Sequence, residues 1–165
     1  MKKTALLVLS AALAMTPLAQ AETTTIDLQL PTIGSGNYQR PYVAVWVERK
    51  GERRAVRTIS VWYEDKKWLK DIRRWWRKAG RYAADLDGVT GATRAPGNYQ
   101  LSWDGRDQVG QPLDAGKYTL YLEAVREHGN RTLLKQPITL GADTSQTYQL
   151  DAGLELGPVT VRIGE

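Results

Sequence analysis

The residues best placed to do chemistry run from Asp87 to Thr93 and read D-G-V-T-G-A-T, with Arg94, Ala95, Pro96 and Gly97 behind them. Two hydroxyls, Thr90 and Thr93, stand among small residues. Gly88 and Gly91 admit backbone angles that other residues resist, and Pro96-Gly97 is a second turn signal. Together Asp87, Thr90, Gly91, Ala92, Thr93 and Arg94 read as an exposed turn that the active site of another protein can engulf. A threonine hydroxyl is a weak nucleophile alone and needs an outside base or metal to activate it. Other reactive groups are sparse. The chain has no cysteine, which excludes thiol redox chemistry, iron–sulfur clusters, c-type haem attachment and any disulfide framework. His128 is the only histidine; within Glu127-His128-Gly129 it fits a turn better than a base or a metal site. Asp104 and Asp107 have oxygens suited to calcium but are better explained as Asx turns. No Ser-His-Asp order, paired-carboxylate signature or P-loop is present.

The elements that position the loop are mostly short alternating runs. Residues 1–21 form a secretory signal peptide: Lys2 and Lys3, an apolar run from Leu6 to Met15, and Ala19-Gln20-Ala21 as a small-x-small cleavage site. That run is short for a membrane span, and no cysteine offers a lipid anchor, so a soluble periplasmic protein beginning near Glu22 is expected. Removing Lys2 and Lys3 lowers the formal charge from +5 to +3, too small a surplus to name a partner. Residues 22–165 suffice for one domain with its own core. Period-two runs predict strands at 25–30, 42–48 and 54–62, the last two as a hairpin around Arg49-Lys50-Gly51-Glu52. More follow at 98–103, 116–126, 131–138, 146–150 and 157–163. The run from Tyr42 to Glu48 is apolar enough for burial on both faces, and Tyr118, Leu120, Leu122 and Ala124 share one face.

One stretch changes period. From about 65 to 79, Trp68, Ile72, Trp75, Trp76 and Ala79 repeat at helical spacing, with Asp65 as N-cap and Gly80 as stop. The opposite face carries Lys66, Lys67, Lys70, Arg73, Arg74, Arg77 and Lys78. This predicts an amphipathic α-helix packed on a sheet, a basic surface for an acidic partner, phosphate or membrane face, or a rigid edge from which a tryptophan meets a cofactor. Nucleic acid is a poor partner for a periplasmic protein. The fold class expected is mainly β, an antiparallel immunoglobulin-like β-sandwich with that one inserted helix.

Three resemblances add to this reading. The stretch from Asp87 to Thr93 resembles the covalent flavinylation motif D-x-x-[Ser/Thr]-G-A-[Ser/Thr] of flavin-carrying subunits of sodium-translocating NADH:quinone reductase and its electron-transport relatives. The segment from Trp103 to Tyr118, W-D-G-R-D-x-x-G-x-P-x-x-A-G-x-Y, resembles the immunoglobulin-like domain of the flagellar hook-capping protein, which bears on the fold alone. Pieces across the mature chain, among them Trp75-Trp76 and Trp103 to Asp107, resemble a family of predicted periplasmic proteins catalogued as domain of unknown function 2271.

The first and third resemblances imply FMN held covalently through a phosphoester on Thr93, installed by a flavin transferase whose magnesium activates the hydroxyl. The chain is then the substrate of that reaction, not its catalyst. Arg94, with Arg81 as a second cation, would face the phosphate, and Trp75, Trp76, Tyr99 and Trp103 are candidates to meet the flavin ring. Periplasmic or membrane redox partners, in the setting of iron uptake, are implied, and no stable membrane anchor. The competing reading is a cofactor-free immunoglobulin-like binding or assembly module.

Overall fold

Alternation decides which side of each strand is dry, and here it builds two sheets. The computed structural model describes residues 22–34, 36, 38–83 and 86–164; the leader assigned to 1–21 lies outside them. Nine strands follow in order: β1 (Thr24–Leu30), β2 (Tyr42–Arg49), β3 (Ala55–Trp62), β4 (Thr90–Gly91), β5 (Gly97–Trp103), β6 (Gly116–Val125), β7 (Arg131–Leu140), β8 (Gln146–Leu150) and β9 (Val159–Ile163). One sheet has the order β5-β1-β9-β8, the other β4-β3-β2-β6-β7. Every pairing is antiparallel except β3 with β4. The protein is thus a mainly β, two-sheet sandwich, and the eight strands expected from alternation are all present.

The core between the sheets takes Ile26, Leu28 and Leu30 from β1, and Val43, Val45 and Val47 from β2. Leu120, Leu122 and Ala124 come from β6, and Val159, Val161 and Ile163 from β9. Each such valine, leucine or isoleucine contributes about 1.5–3 kcal/mol when fully removed from water. Strand β2 is the middle strand of its sheet and is buried on both faces, as its unbroken apolar run requires. Its second face carries Ala44 and Trp46 into a separate core, completed by Val61, Leu69, Ile72 and Trp75. The segment 66–82 therefore forms a third layer on the outer face of the five-stranded sheet.

That layer corrects the predicted helix. Instead of one α-helix over 65–79, the chain makes a 3-10 helix at Lys66–Asp71, a break at Ile72, the α-helix α1 at Arg73–Lys78 and a further 3-10 turn at Gly80–Tyr82. The cause lies on β6. Glu123 is fully buried, and its carboxylate accepts the backbone N–H groups of Arg74 (3.0 Å) and Trp75 (3.0 Å). A continuous helix would commit those two N–H groups to the carbonyls of Lys70 and Asp71; here a carboxylate from the sheet starts the helix anew. The break also re-sorts the apolar stripe. Leu69, not Trp68, enters the core, and Trp68 is left 44 % exposed. Asp65 does cap the segment, accepting from Lys67 N–H at 3.0 Å. Gly80 follows the end of α1 and opens the last 3-10 turn, where a β-carbon would lie 2.6 Å from the Trp76 ring and 2.7 Å from that of Trp75.

A second buried carboxylate fastens the same layer. Glu48 accepts from Trp46 Nε1 (2.8 Å) and from Arg74 Nε and Nη2 (3.1 and 2.8 Å), with Lys78 Nζ at 3.6 Å. Arg74 also lies over the Tyr121 ring at 4.1 Å, and Tyr121 stacks on Trp46.

Candidate functional site at the sheet crossover

The stretch from Asp87 to Thr93 is the connection that carries the chain from one sheet to the other, since β4 belongs to the five-stranded sheet and β5 to the four-stranded one. It begins as a turn. Val89 N–H bonds to Leu86 C=O at 3.2 Å, and Gly88 at the tip has φ +80°, a left-handed angle that glycine adopts without strain. Then it runs parallel to the end of β3, with Val61 N–H donating to Val89 C=O (2.8 Å) and Tyr63 N–H to Gly91 C=O (2.9 Å). From there the chain crosses to β5, and Tyr99 Oη donates to Ala95 C=O at 2.7 Å. The expectation of an exposed turn holds for Asp87, Gly88, Thr90 and Ala92. It fails for Thr93, which keeps 7 % of its accessible surface. Pairing with β3 lays this loop down as a strap, and Thr93 is turned inward.

On the residue after Thr93 the structure seats a guanidinium against two rings. The Arg94 guanidinium carbon lies 4.2 Å from the Trp62 ring centroid and 5.0 Å from that of Tyr99, and the two rings meet edge to face at 5.4 Å. Gly91 passes over the same indole: a β-carbon there would stand 3.4 Å from Trp62 Cδ1. Cation–π seating of this kind is worth about 0.5–2 kcal/mol, more as water is excluded. Tyr38 adjoins this end of the sandwich. Burial pushes its phenol above the ordinary tyrosine range, and Arg126, whose guanidinium carbon lies 5.6 Å from the ring centroid, opposes that shift.

Of the residues nominated from sequence, Asp87, Thr90, Gly91, Ala92, Thr93, Arg94 and Tyr99 fall together on the strap or at its landing. The other aromatic candidates do not join them. Trp75 is fully buried in the outer layer, its Nε1 donating to Thr58 Oγ1 at 3.1 Å, and the half-buried Trp76 packs in the same layer. Trp103 closes β5 at the end opposite Gly97, buried and bonded through Nε1 to Arg106 C=O. Arg81 lies over the Tyr82 ring at the end of the outer layer. Trp62 is the residue that the sequence reading missed. It reads as the last apolar residue of a strand, and only the two-residue parallel pairing of β4 brings it under Arg94.

The remaining candidates lie in turns. Asp104 and Asp107 accept backbone N–H groups two to four residues on, as Asx turns do. His128 is exposed at the β6–β7 turn with φ 52°, beside Glu127. Below it Arg126 pairs with the buried Glu155 at 2.9 Å, and Glu155 accepts Asn130 N–H at 2.8 Å. Gly129 permits that packing, because a β-carbon there would stand 2.7 Å from the Arg126 guanidinium carbon. A cleft of about 470 Å³ opens between this turn and the outer layer, with Trp68, Arg73, His128 and Arg131 on its walls.

A two-sheet β-sandwich with a crossover strap and a covering basic layer is the class of protein these observations define. The family model for predicted periplasmic proteins (DUF2271) matches residues 23–158, and the chain belongs to that family. No curated protein and no solved structure matches the chain. The family's compartment agrees with the leader read at 1–21, and the protein is periplasmic. No helix among the described residues is long and apolar enough to cross a membrane.

Proposed function

We propose that this is a periplasmic electron-transfer protein that carries FMN on Thr93, attached by a separate flavin transferase. The observation that supports it best is the pairing of the D-x-x-T-G-A-T hydroxyl with a half-buried guanidinium on the next residue. In the transfer, Thr93 Oγ attacks the FMN-side phosphorus of FAD. The bond between the two phosphates breaks, AMP leaves, and the hydroxyl proton passes to a base of the transferase. The product is a phosphodiester whose negative charge suits Arg94. When bound, the flavin would supply one- and two-electron chemistry.

The fit is good in charge and conditional in access. Thr93 is inward, so the strap must lift before a transferase reaches it. Its strand portion is two residues long and pairs only with the end of β3, which keeps that opening small. Once the strap has lifted, Trp62 and Tyr99 lose the cation that covers them and offer ring faces beside the attachment point. Trp75 and Trp103 have no exposed face for this role.

The experiment is an intact mass of the mature protein after periplasmic co-expression with a matched transferase. The expected gain is one FMN less one water, retained in Thr93→Ser and lost in Thr93→Ala. An unmodified mass, with the transferase active on another substrate, overturns the proposal. The burial of Thr93 would then favour the second reading, an immunoglobulin-like binding or assembly module in which the strap simply closes the sandwich.

A further inference from the structure

The charge of this protein is concentrated in one place. Between Asp65 and Tyr82 eight lysines and arginines stand against two carboxylates, a formal +6, while the mature chain as a whole carries +3. Everything outside that span therefore nets −3. The span is the outer layer, and its burial pattern fixes which way the cations point. Leu69, Ile72 and Trp75 face the sheet, whereas Lys66, Lys67, Lys70, Arg73, Arg77 and Arg81 are exposed. Arg74 and Lys78 are drawn to the buried Glu48, and Lys67 pairs with Asp65. Lys66, Lys70, Arg73, Arg77 and Arg81 have no carboxylate partner among the described residues.

Two large aromatic side chains flank this field. Trp68 and Tyr82 are each 44 % exposed, one near either end of the layer. Each lies beneath cations: Lys67 Nζ is 5.2 Å from the Trp68 ring, and the guanidinium carbons of Arg54 and Arg81 are 4.3 and 4.9 Å from the Tyr82 ring. The break at Ile72 is what leaves Trp68 outside. An acidic protein and an anionic bilayer would both answer the charge. The composition favours the bilayer. Arginine, tryptophan and tyrosine suit both partners, but lysine is depleted at protein–protein interfaces, and lysine among indole and phenol rings is the pattern of surfaces resting at headgroup level.

We infer that the face formed by Lys66, Trp68, Lys70, Arg73, Arg77 and Tyr82 docks the protein reversibly on anionic phospholipid. The cations meet the phosphates while the two rings enter the headgroup boundary. This is a peripheral contact and not an anchor, because no apolar segment of the layer is free to insert deeply. It does not depend on Thr93 or on any cofactor.

The test is sedimentation of the mature protein with vesicles of phosphatidylcholine alone, or mixed with phosphatidylglycerol, at low and at high salt. Binding is expected only with phosphatidylglycerol and should weaken in high salt. The triple variant Lys66→Gln, Lys70→Gln, Arg77→Gln should lose about fivefold per removed cation, on the order of a hundredfold in all. Trp68→Ala should weaken vesicle binding several-fold and leave retention on immobilised heparin unchanged. All four positions are exposed, so an unchanged melting curve confirms that each variant is folded. Equal binding to both kinds of vesicle, or none to either, overturns the inference. So does vesicle binding that depends on the cations but is indifferent to Trp68→Ala and Tyr82→Ala, which would make the face a site for an acidic macromolecule.

Discussion

The outer layer and the crossover strap both lie against the five-stranded sheet, and they are held in opposite ways. The outer layer is bound to it by two carboxylates with little or no exposure, Glu48 and Glu123. Both reach from strands to a guanidinium of the layer or to its backbone. The strap is bound by a two-residue edge pairing and the seat of Arg94 on two rings. A buried carboxylate cannot let go without exposing an unpaired charge, whereas a short edge pairing opens for little. The segment that resembles a modification motif is thus the one that can move, and the segment that presents the basic face is the one that cannot.

Glu123→Ala should produce the largest break in that contrast. It strips the cap from α1 and leaves Arg131, whose Nε stands 2.6 Å from the carboxylate, without its partner. A loss of about 3–5 kcal/mol in urea unfolding is expected. A loss under about 1 kcal/mol would mean that Glu48 and the apolar core of Leu69, Ile72 and Trp75 hold the outer layer without Glu123. Arg94→Ala should do less to stability, about 0.5–1 kcal/mol, but it sharpens the comparison. Amide exchange at Val61 and Tyr63, the two donors to the strap, should speed up while that of Arg74 and Trp75 stays slow. If a transferase acts at Thr93, modification of the variant should be faster. Equal exchange at all four amides would erase the distinction between the two regions.

The smallest effect is one of pH. The backbone and side-chain hydrogen bonds from Lys67 hold the Asp65 carboxyl below its ordinary value. A depressed carboxylate contributes stability above its unfolded value, near pH 3.9, and loses it as pH falls through the folded one. The Lys67 amide should therefore shift and exchange faster below about pH 4, with the interior of α1 unaffected. In Asp65→Asn, which keeps a capping oxygen but does not titrate, that transition should vanish.

Strand periodicity was legible because alternation is a local property: the inward set of β6, and the two-sided burial of β2, follow from side-chain order alone. The helix was legible in its spacing and misread in its continuity. The carboxylate that interrupts it comes from residue 123, some fifty positions later, and no local pattern announces such a cap. The same limit hid Trp62. A two-residue parallel strand leaves no periodic trace, so the sequence offered Trp75, Trp76 and Trp103, which are conspicuous, in place of the indole that Arg94 covers. The 87–93 motif suggested an exposed turn because Gly88 and Gly91 suit turns. The expectation holds at Asp87, Gly88, Thr90 and Ala92; at Thr93 the pairing with β3 decided otherwise.

One consequence of the β3–β4 pairing reaches beyond Thr93. Strand β4 covers the outer margin of β3 at Val61 and Trp62, while Gln108 covers it at Val56 and Thr58. When the strap rises, Val61 and Tyr63 offer bare N–H groups along an open sheet border, the kind of border to which a foreign strand adds by backbone bonding. Whatever lifts the strap therefore meets a ready template for its own extended chain, and a molecule left open would be inclined to pair with its neighbours.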